Sequence, residues 1–275
     1  MAIITISREM GSGGIPIAHE VAERLGYTLI DGDALRNAAS DYGLSDEAFE
    51  LADEKPPAFV DELDQKLAVD LHQIELIILE KALAGNVIIY GRGGQDLLAK
   101  VSNVFRVRII APFEERVERW AEREWLDPDY ARILVRRSDQ QRAGFIKYYF
   151  DRDWADPLHY DLVINTSKLS HEMAVKLICD GVQDSNLVER KGESKKILRD
   201  LILQKKIEIA LTGEKKIDTL HLHNEVRDGM VTLSGHMHSQ DDLKQALKII
   251  KGVDGVREVV EDLKVIAYHN IPSDH

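Results

Sequence analysis

The feature that most constrains the fold is a short apolar run that leads into a glycine-rich turn near the N-terminus. Residues 3–7 read Ile-Ile-Thr-Ile-Ser, a pattern typical of a buried strand. The turn follows over residues 8–14, and a helix pattern over residues 15–25 closes at a glycine. A strand, a glycine-rich turn and a helix in this order direct backbone N–H groups into one hollow, which attracts phosphate.

This turn lacks the lysine of the standard phosphate-binding loop, GxxxxGK[ST]. Gly14 takes the place of the lysine, and the next two residues, Ile15 and Pro16, offer no hydroxyl group for magnesium. Arg8 lies within the turn, and its guanidinium can bring the missing positive charge. We therefore predict that Arg8 is catalytic and binds the donor phosphates with the rest of the turn, namely Gly11, Ser12, Gly13 and Gly14. A tight turn without a ligand is the alternative.

The first two thirds of the chain continue to alternate short apolar strands with helices. Strands are predicted at residues 27–30, 87–90, 104–110 and 161–164, and a long helix with Leu63 on its apolar face precedes Gly85. This alternation predicts a three-layer α/β fold, in which helices cover both faces of a parallel sheet. Such sheets bind ligands at the carboxyl ends of their strands.

Candidate site residues lie at these strand ends and in one arginine-rich segment. Asp31 could orient an acceptor hydroxyl, hold magnesium through water or accept a proton, or it could simply cap a turn. Arg92 lies between glycines, where it would face the same cleft. Residues 136–142 form a helical segment from which Arg137 and Arg142 could stabilise a transferring phosphoryl group, unless the segment is only a solvated basic face.

The last third of the chain has a different order of predicted helices and strands. Residues 183–194 are polar and without a period, so we predict a linker there, after a first domain over residues 1–182. Residues 195–267 show the order α-β-β-α-β, with a hairpin signal at Asp228-Gly229, and residues 268–275 form a tail. This order predicts a small α+β domain.

The predicted hairpin places four histidines on one face. If Asp228 and Gly229 form its turn, Val226 pairs with Val231 and Leu220 pairs with Met237 on the buried face. The opposite face then carries His221, His223, His236 and His238. Four imidazoles on adjacent strands could bind zinc or nickel, and a solvated polar face is the alternative.

Composition limits the classes of function. The chain has no apolar run of the roughly 18 residues needed for a membrane span, and its start does not resemble a secretory signal. The single cysteine, Cys179, suits a reducing compartment, so we expect a cytoplasmic protein. The net charge is −12, and residues from 194 onwards carry equal numbers of acidic and basic side chains. The acidic excess of the first region argues against broad nucleic-acid binding.

Several motifs together resemble the cytidylate kinase-like family, a branch of the P-loop nucleoside monophosphate kinases, over about residues 1–182. They are Ile-Thr-Ile-Ser-Arg-Glu-Met-Gly-Ser-Gly-Gly at 4–14, Leu-Ile-Asp at 29–31, Gly-Arg-Gly at 91–93, Asp139-x-x-Arg142 and Asp153-Trp154. This branch characteristically lacks the loop lysine. The resemblance implies ATP- and Mg²⁺-dependent phosphoryl transfer to a nucleoside monophosphate, with CMP or dCMP expected.

The resemblance also implies roles for individual residues. The turn from Arg8 to Gly14 matches the donor-phosphate loop, and Arg92, Asp139 and Arg142 match positions that hold the acceptor. A nucleotide sensor that transfers phosphate poorly, and a kinase for another small molecule, stay open as alternatives.

The C-terminal region resembles a BON domain over about residues 195–267. The resemblance is carried by Val-Arg-Asp-Gly-Met-Val-Thr-Leu-Ser-Gly at 226–235 and Gly-Val-Asp-Gly-Val at 252–256. It implies an interaction module for a protein, a ligand or a lipid surface, and it brings no catalytic residues.

Overall fold

The computed structural model describes residues 2–42, 44, 65–214, 221–237 and 239–265. Its first domain contains a five-stranded sheet in the order β2-β3-β1-β4-β5, in which every neighbouring pair is parallel. The strands are β1 (Ile3–Arg8), β2 (Thr28–Ile30), β3 (Val87–Tyr90), β4 (Val104–Ile110) and β5 (Leu162–Asn165).

Helices connect these strands and cover the sheet. They are α1 (Gly14–Leu25), α2 (Gly32–Ala39), α3 (Gln65–Ala84), α4 (Gly94–Leu97), α5 (Phe113–Glu124), α6 (Pro128–Phe150), α7 (His171–Gly181) and the short α8 (Ser185–Val188). Two 3₁₀ turns lie at Ser40–Tyr42 and Pro157–His159. Leu63 of the predicted long helix lies outside the described residues.

The sheet is buried on both faces, because successive strand residues point to opposite sides. Ile3 packs with α2 and α3, whereas Ile4 and Ile6 pack with α1 and α7. Buried apolar runs of this kind are what a parallel sheet between two helical layers requires. The predicted three-layer α/β fold is confirmed.

The second domain contains a three-stranded sheet in the order β6-β7-β8. Its strands are β6 (Leu222–Arg227), β7 (Met230–Met237) and β8 (Glu258–Val265), and α10 (Gln240–Gly252) connects the parallel pair β7 and β8. The hairpin register is the predicted one, with Val226 opposite Val231. The predicted partner of Met237, Leu220, lies outside the described residues.

One long helix, α9 (Lys191–Thr212), packs in both domains. Leu198 and Ile202 lie in the core beside α3, whereas Ile207 and Leu211 lie in the core of the second domain. Residues 185–188 and 191–194, which lie in the predicted linker, are helical. The buried stripe starts at Ser194, whose hydroxyl accepts the N–H of Asn103 at 3.2 Å. Because serine is a polar residue, Ser194 did not count as an apolar position in the sequence, and the helical period of the buried residues was not recognised.

An ion cluster fixes α9 against α3. Lys205 Nζ lies 2.6 Å from a carboxylate oxygen of Glu75 and 2.6 Å from one of Glu208. Burial alone would raise the pKa of Glu75, but Lys205 and a hydrogen bond from His72 outweigh burial and hold that pKa at about 2. The division of the chain into two domains at these boundaries stays a prediction. Among the described helices, none is long and apolar enough to cross a membrane.

Candidate functional site

The glycine-rich turn leaves the carboxyl end of β1, the central strand, and enters α1. Gly11 and Gly13 have φ angles of 79° and 82°, in the left-handed region that favours glycine. A β-carbon at Gly11 would also collide with the carbonyl oxygen of Arg116. No side chain within the described residues caps the N-terminus of α1. Its first N–H groups therefore face the cleft as donors for an anion.

The side chain of Arg8 occupies the space that a lysine at position 14 would need. A β-carbon on Gly14 would lie 2.9 Å from Arg8 Cβ and 3.1 Å from the hydroxyl oxygen of Tyr90. The Arg8 guanidinium lies over the Tyr90 ring, 4.3 Å from its centroid. A lysine at 14 and Arg8 in this position exclude one another, so Arg8 is the cation that this loop presents.

A cleft of about 350 Å³ opens beside the turn. This volume lies in the range of small-molecule sites, about 300–1,000 Å³. Besides residues of the turn and the start of α1, the cleft is lined by Tyr90, Arg119, Trp120, Arg123 and Arg142. Sequence reasoning missed Arg119 and Arg123, although their spacing of four places them on one face of α5.

A second cleft of only about 10 Å³, room for about one water molecule, adjoins the first, and Arg8 and Arg142 line both of them. Trp154 lines the second cleft as a packing residue, and its indole N–H donates to Ser7 Oγ at 2.9 Å. Tyr160 supports Trp154 by donating its hydroxyl to the carbonyl oxygen of Trp154 at 2.9 Å, and burial raises the pKa of Tyr160. Two arginines thus stand where the two clefts meet.

Asp31 and Arg92 lie together at the neighbouring strand ends, outside these two clefts. Asp31 Oδ1 accepts the N–H of Ala34 at 2.9 Å and so caps the start of α2. Arg92 has a φ of 58°, and its Nη2 lies 3.8 Å from the place where a β-carbon at Gly32 would be. A guanidinium and a carboxylate at this edge suit the recognition of a second, phosphorylated molecule.

Three predicted residues have other surroundings than we expected. Ser12 Oγ is fully buried, 2.8 Å from the carbonyl oxygen of Glu9, so its hydroxyl does not face the cleft. Arg137 is exposed and lines neither cleft, because helical geometry puts it opposite the face of Val135, Asp139 and Arg142. Asp139 has both carboxylate oxygens engaged within the protein, since one accepts from an N–H of the turn and the other accepts from Arg116.

Within the described residues, the histidines of the second domain are not arranged around one ion, and the four-histidine metal site stays a prediction. His221 and His236 stack with ring centroids 4.2 Å apart and an angle of 22° between their planes. Face-to-face rings do not aim their nitrogens at one ion. His223 lies opposite Ser234, and His238 lies outside the described residues. In the described ranges, no group of three or more candidate ligands is arranged around a common point.

Comparison with known proteins agrees with this geometry. A family model described as the cytidylate kinase-like family matches residues 3–168, and a BON domain model matches residues 199–267. Cytidylate kinases of Halobacterium salinarum and Archaeoglobus fulgidus are 29% and 34% identical over 189 and 185 residues. These alignments cover 68% and 66% of this chain, and 92% and 94% of the relatives.

A solved structure supports the fold alone. An uncharacterized protein from Eubacterium ventriosum is similar with a TM-score of 0.53 at 24% sequence identity, covering 67% of this chain and 99% of its own.

Proposed function

This chain belongs to the cytidylate kinase-like family, and we propose that it transfers the γ-phosphoryl group of ATP to a nucleoside monophosphate, with CMP or dCMP as the acceptor. The observation that carries the proposal is the position of Arg8 and Arg142, which line both the cleft at the turn and the smaller cleft beside it. Negative charge develops on a phosphoryl group during its transfer, and these two arginines, which line the donor cleft, are cations that would stabilise it.

The donor would bind at the turn. The N–H groups at the start of α1 and the Arg8 guanidinium would hold its phosphates, and Arg119 and Arg123 would add positive charge along the cleft. The acceptor would bind beside Arg92 and Asp31, with Arg142 over its phosphate. During transfer, Arg8 and Arg142 would stabilise the negative charge that spreads over the equatorial oxygens of the phosphoryl group.

The side chains at this site could hold magnesium only together with the phosphate oxygens of a bound nucleotide. The turn offers no hydroxyl ligand, since the Ser12 hydroxyl is buried against backbone carbonyls. Asp31 is the carboxylate that could hold the ion through water, and the phosphate oxygens would complete the coordination, as is usual for Mg²⁺. When bound, the ion would neutralise charge on the donor phosphates.

The second domain is proposed to be an interaction module that binds a protein, a ligand or a lipid surface. Helix α9 contributes side chains to both cores and is held to α3 by the Lys205 cluster. This continuity favours a second candidate function for the chain, a nucleotide sensor in which occupancy of one domain is transmitted to the other.

An assay of ADP release against a panel of nucleoside monophosphates tests the proposal. We expect CMP or dCMP to stimulate ADP release far more than AMP, GMP or UMP. ATP binding without stimulation by any monophosphate would favour the sensor. Stimulation only by an acceptor of another class would replace the nucleotide acceptor with that molecule.

A further inference from the structure

The backbone of Met10, inside the turn, is held on both sides by two side chains. Asp139 Oδ1 accepts the N–H of Met10 at 3.0 Å, and Arg116 Nη1 donates to the carbonyl oxygen of Met10 at 3.0 Å. The same Nη1 donates to Asp139 Oδ2 at 2.6 Å, which closes the arrangement. We call Asp139 and Arg116 on the Met10 backbone the Met10 clamp.

The clamp is buried and its charges are compensated. The Arg116 side chain is only 6% exposed, its Nε donates to the carbonyl oxygen of Ala111 at 2.9 Å, and it lies 3.3 Å from Glu9 Oε2. The guanidinium thus lies between two carboxylates, those of Glu9 and Asp139. Charge-assisted hydrogen bonds in such surroundings are strong and fix geometry.

The clamp joins the turn to helix α6. Asp139 lies on α6, one turn before Arg142, and Arg142 Nη1 lies 3.9 Å from Asp139 Oδ1. Because both Asp139 oxygens are engaged at the turn and at Arg116, this carboxylate serves the donor side of the site. It also fixes the helix that presents Arg142 to both clefts.

We propose that Asp139 and Arg116 are positioning residues for the phosphate donor, which set the turn through Met10 and hold Arg142 over it. The proposal rests on the proposed kinase function, and it gives Asp139 a role on the donor side in place of the acceptor side that the family resemblance implies. Arg116 also has an electrostatic role in this arrangement. An uncompensated carboxylate at the turn would repel donor phosphates, and the Arg116 guanidinium neutralises that of Asp139.

The test is equilibrium binding of ATP and of CMP, each measured alone, to full-length variants. Asp139→Asn keeps an oxygen for the Met10 N–H but places an NH₂ group against the donor Arg116 Nη1, which opens the clamp, and we expect ATP affinity to fall about tenfold while CMP affinity stays within about twofold. Arg116→Met removes the nearer of the two arginines beside Asp139 and the donor to the Met10 carbonyl oxygen, so its loss of ATP affinity should be larger. The double variant should recover part of that loss. Gln140→Ala, an exposed neighbour on α6, is the control and should change neither affinity.

Kinetics give a second readout that a general loss of stability would not reproduce. In Asp139→Asn the KM for ATP should rise and the KM for CMP should stay unchanged. Weaker CMP binding with wild-type ATP affinity in this variant would overturn the clamp and return Asp139 to the acceptor. A wild-type chain that binds ATP but phosphorylates no monophosphate would count against the proposed function, and the ATP affinities would still decide the clamp.

Discussion

Moving the positive charge of the turn from position 8 to position 14 tests whether Arg8 replaces the missing lysine. Arg8→Ala removes the guanidinium that lines both clefts. Loss of one preorganised group that stabilises transition-state charge typically costs about 10²–10³-fold in turnover, or about 3 kcal/mol. We expect a fall of at least about 10²-fold in kcat with unchanged folding.

The converse change, Gly14→Lys, should also fail while Arg8 is present. The new β-carbon would lie 2.9 Å from Arg8 Cβ, which is closer than two such atoms pack, so the turn would have to shift. In the double variant Arg8→Gly, Gly14→Lys, both the β- and γ-carbons of Arg8 are removed, so this contact disappears and a cation returns. We therefore expect this double variant to recover at least about tenfold in turnover over the single variant Arg8→Gly, or about 1.4 kcal/mol.

The assay is initial-rate ADP release at saturating ATP and acceptor, with circular dichroism and thermal unfolding of each variant as folding controls. Arg8→Lys is the matched variant, since it keeps the charge but loses the flat contact with Tyr90, and its turnover should lie between wild type and Arg8→Ala. Near-normal turnover of Arg8→Ala, or a double variant no better than either single variant, would refute the replacement of the lysine by Arg8.

Three further predictions concern the acceptor, the turn and the contact between domains. Arg142→Ala should raise the KM for the acceptor and lower kcat by about 10²-fold or more, and wild-type steady-state kinetics would contradict its role. Gly11→Ala should abolish ATP binding in calorimetry, whereas Gly13→Ala, with a similar φ but open space around it, should cost only about 1 kcal/mol in stability. Glu75→Gln should lower the free energy of unfolding by about 2–3 kcal/mol at pH 7, because the buried Lys205 loses one of its two carboxylate partners. Since the pKa of Glu75 is lowered by folding to about 2, its contribution is present above about pH 5 and is lost as pH falls towards 2. The difference between Glu75→Gln and wild type in urea unfolding should therefore shrink at low pH, and a difference independent of pH would contradict the ion pair.

The fold could be predicted because its signals are local. Apolar strands, helix periods and the turn at Asp228-Gly229 each extend over a few residues, and the hairpin register follows from the turn alone. The helical structure of residues 191–194 was not predicted, because the buried position that starts the helical stripe is the polar Ser194.

The candidate site was harder to predict, because it is built from contacts between distant parts of the chain. Arg8 could be selected from its position in the turn. The clamp joins Met10 to a residue 129 positions away, and the buried Arg116 resembles the solvated arginines around it in sequence. Arg137 was chosen from an arginine-rich segment, and only the orientation of α6 shows that it is exposed. The histidine register was correct, but strand pairing does not determine that the rings stack.

The most direct test of the proposed activity follows the phosphoryl group itself. ATP labelled at the γ-phosphate is incubated with the full-length protein, Mg²⁺ and CMP, and the products are separated. We predict that the label appears in CDP, that its transfer requires CMP, and that it falls at least about 10²-fold in Arg8→Ala. Label that stays in ATP, or that appears only as inorganic phosphate, would contradict phosphoryl transfer to CMP by this site.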